Sequence, residues 1–253
     1  MQEISTRTVR DIALETPSAM PVFENYKIDY CCGGHISFDE ACEKAGISTA
    51  ELWKEIEAAL ARGENAVEDV LKWTQAALVD HIIDEHHDYT RDAINRLSPL
   101  MDKVCRKHGS DHAELGEIQT TFAQLADDMI LHIKKEEMML FPFIKQLERM
   151  RADAPMQPFG SVQNPVRVMM NEHDAAGDLL RNMRTLSHEY AIPEGACPSY
   201  IGLYTGFEEL EKDLHRHIHL ENNILFPRAI EMEQPVASDD REIPKPGTCC
   251  VTN

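Results

Sequence analysis

The chain has 253 residues, enough for one large domain or for a medium domain with a small companion, and only 6% of them are aromatic. Its 25 basic and 44 acidic side chains give a formal charge of −19, which supplies no basic stripe for nucleic acid and is repelled by anionic lipid. No apolar run approaches the roughly 20 residues that span a bilayer, and MQEISTRTVRD lacks the apolar stretch of a signal peptide, so the expectation is a cytoplasmic protein with no membrane or nucleic-acid partner.

Residues 1–65 are predicted to form a small helical domain. Ser37 with Glu40 and Ser48 with Glu51 have the capping-box spacing, in which hydroxyl and carboxylate each satisfy an orphan backbone N–H. Gly46 and Gly63 stand where helix C-caps belong, and Pro17 and Pro21 break the chain before them. This region carries Cys31-Cys32-Gly33-Gly34. The pair has two readings: a thiol pair at a helix end, or a thiol site for metal, nitrosyl iron or redox exchange with glycines that let backbone approach closely. The seven cysteines are odd in number and include two adjacent pairs, so they do not read as a disulfide framework. Cys42, Cys105 and Cys197 read as ordinary thiols, and the sequence assigns no role to Cys249 and Cys250.

Four longer helices are predicted within residues 66–232. Their apolar stripes are Ile83, Ile94, Leu97, Met101; then Leu115, Ile118, Phe122, Leu125, Met129, Met139, Phe143; then Val166, Met169, Ala176, Leu180, Met183; then Leu203, Phe207, Leu210, Leu214, Ile224. Steps of three and four mark one buried face per helix, and breaks at Gly109-Ser110, Pro155 to Pro165 and Pro193 to Pro198 separate them. Four amphipathic helices with modest loops imply an antiparallel bundle, so the fold class is all-α. Residues 233–253 turn polar and Pro-rich and are predicted to be a mobile tail.

The bundle contains an internal repeat. His132-Ile-Lys-Lys-Glu136-Glu-Met-Met-Leu-Phe-Pro142 matches His217-Ile-His-Leu-Glu221-Asn-Asn-Ile-Leu-Phe-Pro227, and Glu85-His86-His87-Asp88 matches Glu172-His173-Asp174, at nearly the same spacing upstream. His132, Glu136, His217 and Glu221 continue the apolar stripes of the second and fourth helices, and His173 and His87 lie on the third and first. A carboxylate in a bundle core is costly unless a cation compensates it, and two facing glutamates would repel until one took up a proton. Imidazole and carboxylate together suit iron, manganese or zinc. Four histidines and two glutamates supply each of two ions with two imidazoles and shared carboxylates, leaving positions for oxo, hydroxo or a small diatomic molecule. His86 competes with His87, because adjacent helical positions differ by about 100°; the shared His-Asp dipeptide favours His87. His215, His219 and Glu137 fall off the stripes, and the histidines read as solvated surface. Asp88 and Asp174 read as outer acceptors for histidine N–H groups or as exposed first-turn acids.

The segment Asp29-Tyr30-Cys31-Cys32-Gly33-Gly34, followed by this bundle, resembles the bacterial RIC (repair of iron centres) proteins, the YtfE/ScdA/DnrN type, over about residues 5 to 232. The resemblance implies a hemerythrin-like bundle and a non-haem di-iron centre, oxo- and carboxylate-bridged. It places His87, His132, His173 and His217 as ligands and Glu136 and Glu221 as bridges. It implies repair of iron–sulfur clusters damaged by nitric oxide or oxidants, with Cys31 and Cys32 taking part and damaged iron–sulfur proteins, NO and O2 as partners. Other hemerythrin-like activities share such a centre: an oxygen or nitric oxide carrier or sensor, and an enzyme reducing nitric oxide. The tail ending in Cys249-Cys250 departs from the family pattern. A homodimer is a further expectation, because the N-terminal module is small for independent folding.

Overall fold

The computed structural model describes residues 2–62, 70–150 and 158–234. Gly63, Pro155 and the tail beyond Gln234, with Cys249 and Cys250, lie outside the described residues. Five short helices come first: α1 (Gln2–Ser5), α2 (Val9–Glu15), α3 (Ala19–Asn25), α4 (Phe38–Ala45) and α5 (Thr49–Ala61). Thr8, Ser37 and Ser48 each accept a backbone N–H at a helix start. Only Ser48 and Glu51 complete a capping box; Glu40 instead pairs with Lys44 at 2.9 Å. Gly46 closes α4 at φ 70°, a left-handed position that glycine adopts without steric cost. Pro21 falls within the first turn of α3, where its missing N–H is not needed. Val9, Ile12, Phe23, Tyr30, Phe38 and Leu52 form the apolar centre of this region.

After a 3-10 turn (Val70–Lys72), four long helices follow: α6 (residues 75–108), α7 (residues 114–150), α8 (Gln163–Leu186) and α9 (residues 198–233). They pack as an antiparallel bundle in which α6 touches α7 and α9, and α7 touches α8. The approach of α9 to α6 is close: a Cβ on Gly206 would lie 2.5 Å from Leu97 Cδ2. Two apolar clusters fill the interior. One holds Leu97, Phe122, Leu125, Leu180 and Phe207; the other holds Leu78, Ile82, Phe141, Ile144, Leu225 and Phe226. The histidine and glutamate layer lies between them.

Three of the four helices carry a π-turn, at Ile82–His87, Glu136–Leu140 and Glu221–Leu225. A π-turn inserts one residue into the helical ladder and rotates the face that follows it. This corrects the predicted stripes. Met139 points to solvent at 53% exposure, and Leu140 takes its inward place. Ile82 is fully buried where Ile83 was expected, and His86 and His87 are both buried. The wider turn thus removes the reason for choosing only one of that histidine pair as inward-facing.

The N-terminal helices rest on α9. Arg216 donates two hydrogen bonds of 2.9 Å to Glu24. Asn223 donates to the Tyr30 carbonyl at 3.1 Å, and the Tyr30 ring meets His219 edge-on with centroids 5.3 Å apart. His219 is therefore buried, and His215 is only 19% exposed; neither is the solvated surface residue that its position off the stripe suggested.

Candidate metal centre

The repeated His-x-x-x-Glu segments place each histidine one turn before its glutamate on the inward face of α7 and α9, and α6 and α8 contribute His87 and His173 from opposite sides. All six side chains are essentially inaccessible. They form two overlapping quartets, His87, Glu136, His217, Glu221 and His132, Glu136, His173, Glu221, in each of which the potential ligand atoms lie within 4.8 Å of one another. Glu136 and Glu221 belong to both.

In the first quartet the Nε2 atoms of His87 and His217 are 3.2 Å apart. Glu221 Oε1 lies 2.9 Å from His217 Nε2, and Glu136 Oε2 lies 3.3 Å from His87 Nε2. In the second, His132 and His173 face each other with Nε2 atoms 3.0 Å apart. Glu221 Oε2 lies 3.0 Å from His173 Nε2, and Glu136 Oε2 lies 3.3 Å from His132 Nε2. Glu136 therefore reaches toward both pairs through a single oxygen.

Three of the ring orientations are set from outside. His87 Nδ1 lies 2.9 Å from Glu137 Oε1, which Arg91 also holds. His132 Nδ1 lies 3.0 Å from Glu172 Oε2, whose other oxygen takes Lys135. His173 Nδ1 lies 2.9 Å from Asn222 Oδ1. With Nδ1–H donated outward, each of these rings turns its Nε2 lone pair to the interior. Asp88 and Asp174 do not serve this purpose; Asp88 pairs with Arg91 at the surface, and Asp174 is exposed. The outer acceptors Glu137, Glu172 and Asn222 all neighbour a core His or Glu in sequence, and a regular helical period puts Glu137 off the stripe.

The donor set fits a pair of cations. Opposed nitrogen lone pairs repel, and both oxygens of fully buried Glu136 and one of Glu221 receive no hydrogen bond. Imidazole and carboxylate ligands of this kind suit iron and its neighbours. Without a cation, protons take that place. Burial pulls the imidazoles of His87 and His132 down, but Glu136 and Glu221 outweigh it and hold them up at about 9 and about 10. Burial works on the carboxyls of Glu136 and Glu221 in the opposite sense, yet the surrounding imidazoles hold both below the usual range. In His217 burial prevails, and its imidazole is lowered.

Cys31 and Cys32 lie in a bend after α3, not at a helix end. Asp29 Oδ1 accepts from the backbone N–H of both at 3.0 Å and from the Cys31 thiol at 3.2 Å. The bend needs Gly34, since a Cβ there would meet the Tyr30 carbonyl oxygen at 2.6 Å. Cys31 is buried, and its thiol is pushed well above the ordinary range by the Cys32 hydrogen bond and by burial. Cys32 is half-buried, and Asn222 Nδ2 approaches its Sγ at 3.9 Å. Asn222 thus touches both a core histidine and the thiol pair. Cys197 departs from its ordinary reading: His108 Nε2 lies 3.2 Å from its Sγ and holds the thiol down at about 7.

Residues 78–229 match the hemerythrin HHE cation binding domain, and residues 5–60 match ScdA_N, described as a domain of unknown function. A probable iron-sulfur cluster repair protein of Haemophilus influenzae is 34% identical over 225 residues, covering 87% of this chain and 95% of that protein. The iron-sulfur cluster repair protein YtfE of Pectobacterium carotovorum is 33% identical over 231 residues, with 90% and 98% covered. That of Yersinia pseudotuberculosis is 32% identical over 222 residues, with 88% and 96% covered.

Proposed function

We infer the function from one premise: the chain belongs to the iron-sulfur cluster repair family and carries a hemerythrin HHE domain. It repairs iron–sulfur clusters damaged by nitrosative or oxidative stress, and its bundle holds two non-haem iron ions for that work. His87 and His217 ligate one ion, His132 and His173 the other, and Glu136 and Glu221 bridge them. The observation that carries this reading is the pair of quartets sharing the same two buried glutamates. Bound there, iron supplies a metal store for a depleted cluster and open positions for nitric oxide or dioxygen.

The protein's own residues have separate tasks in this reading. The apolar clusters on either side keep water from the ligand layer. Glu137, Glu172 and Asn222 fix which nitrogen of each ring faces inward. Residues 1–65 act as a thiol module in which Cys31 and Cys32 exchange iron or nitrosyl iron with the damaged client. The Cys32 hydrogen bond and burial keep Cys31 protonated, and Asp29 sets the bend that presents Cys32. Residues 66–232 are the iron-holding unit, and 233–253 form an appended tail.

Repair of a nitrosylated [4Fe–4S] protein tests this directly. The native protein should restore cluster absorbance and remove the dinitrosyl-iron electron spin resonance signal. Glu136→Gln with Glu221→Gln should abolish both recoveries, and Cys31→Ser with Cys32→Ser should slow them while leaving iron bound. Full repair by the glutamate variant would end the proposal.

A further inference from the structure

The two imidazole pairs are unequally supported, and the difference lies in one residue of the repeat. Before His173 stands Glu172, whose carboxylate takes His132 Nδ1 at 3.0 Å and is itself held by Lys135 at 2.5 Å. Before His87 stands His86. Its Nδ1 pairs outward with Asp213 at 2.9 Å, and its ring lies parallel to that of His217, with centroids 5.8 Å apart and an interplanar angle of 9°. His217 Nδ1 is buried and has no hydrogen-bond partner. In the second pair both rings have an outer acceptor, Glu172 and Asn222; in the first only His87 does, through Glu137. An outer acceptor raises the basicity of a ligating imidazole and fixes its orientation, and its loss costs about 10- to 100-fold in metal affinity.

A second observation falls at the same pair. A cavity of about 190 Å³ lies between α3 and the bundle, lined by His81, His86 and His219, by apolar Met20 and Leu220, and by Arg216, whose charge Glu24 takes up. His81 meets His86 edge-on at 5.6 Å and stands against Trp73 at 5.0 Å. From His217 outward the chain therefore offers a second imidazole, then a third, beside a cavity. Both pairs have one ring stacked on a phenylalanine, His87 on Phe141 and His173 on Phe226, so the chain of imidazoles is what sets the first pair apart.

We propose that the two iron positions are inequivalent, that the ion held by His87 and His217 is the one given up, and that it leaves past His86 and His81 through this cavity. The inference rests on the two-iron reading above and names which ion serves as the donated one. On release of a ferrous ion, its bonds to the His87 and His217 nitrogens and to the shared Glu136 and Glu221 oxygens break, and new bonds form to the ligands of the acceptor; no electron moves. Glu136 and Glu221 stay with the ion at His132 and His173, which remains in the bundle.

Iron release from the loaded full chain to excess ferrous chelator under anaerobic conditions tests this, read as chelate absorbance against time. Two phases are expected, each of about one iron per chain, with rates separated by about tenfold or more. Glu172→Gln should speed the slow phase about 10-fold or more and leave the fast one in place. His86→Glu combined with Asp213→Asn offers His217 a carboxylate without a like charge beside it, and should slow the fast phase alone. Met20→Trp, which narrows the cavity, should also slow only the fast phase. Circular dichroism and the slow phase itself report that each variant is folded. Loss of both irons in one phase overturns the inference while leaving the two-iron reading intact; a chain that takes up no iron overturns both. A fast phase unmoved by the His86 and Met20 variants assigns it to the other position and equally ends the proposal.

Discussion

The two halves of the bundle, α6 with α7 and α8 with α9, carry the same chemistry in different surroundings. At Glu136 and Glu221 they agree: both carboxylates are fully buried within both quartets. Two residues later they part. Met138 is 67% exposed, whereas its counterpart Asn223 is buried, donating to the Tyr30 carbonyl and lying 2.8 Å from His219 Nδ1. The N-terminal helices cover the second half and leave this part of the first open. Positions that face the centre are constrained by the site and stay alike; positions that face outward are set by what covers them.

The largest predicted difference between the halves is electrostatic and belongs to the iron-free protein. The raised imidazoles, at about 9 and about 10, are His87 and His132 of the first half, whereas His217 of the second is lowered by burial. A folded-state value above the unfolded one of roughly 6.5 gives a contribution that is complete below that pH and is lost as pH rises through the folded value. The Tm of the iron-free protein should therefore fall between pH 7 and 10. Iron held as proposed would displace those protons, so the loaded protein should stay nearly flat over that range. Parallel pH profiles of the two forms would dissolve the distinction.

A second difference is carried by ion pairing. Arg184 of α8 makes a bidentate contact with Glu211 of α9, whose side chain is only 4% exposed. Arg184→Met strands that carboxylate and should cost about 3–5 kcal/mol in urea unfolding. Between α6 and α7 the ion pairs, Arg91 with Glu137 and Lys145 with Asp80, are more exposed, and Lys145→Met should cost no more than about 1 kcal/mol. Equal losses would show that the halves are joined in the same way.

The smallest difference concerns the diverged repeat position itself. Asn223→Leu leaves the Tyr30 carbonyl without its donor and should cost about 1–3 kcal/mol. Met138→Lys should change stability by less than about 0.5 kcal/mol. Faster hydrogen exchange around Tyr30 in the Asn223 variant would trace the loss to the contact between the two regions; unchanged exchange there would detach Asn223 from that role.

The legibility of the sequence follows the same division. His132, Glu136, His217 and Glu221 could be read because they continue apolar stripes at a spacing of four, and His87 and His173 because the repeat fixes them. Met139 and Ile83 were placed inward because a regular α-helical period was carried through a π-turn, and no residue type announces that turn. Glu137 and Asn222 lie in π-turns, where a regular period points them away, and Glu172 stands part-exposed on regular α8 and reaches His132 across the helix interface. His219 was read as surface because its cover comes from residues far away in the chain.

The central claim is that Glu136 and Glu221 hold two irons in common, and iron content with the optical spectrum tests it most directly. The purified protein should carry about two irons per chain with near-ultraviolet charge-transfer bands, and Glu136→Ala combined with Glu221→Ala should lose both the metal and the bands. Iron retained at that level in the double variant, or no iron in the native chain, would contradict the account.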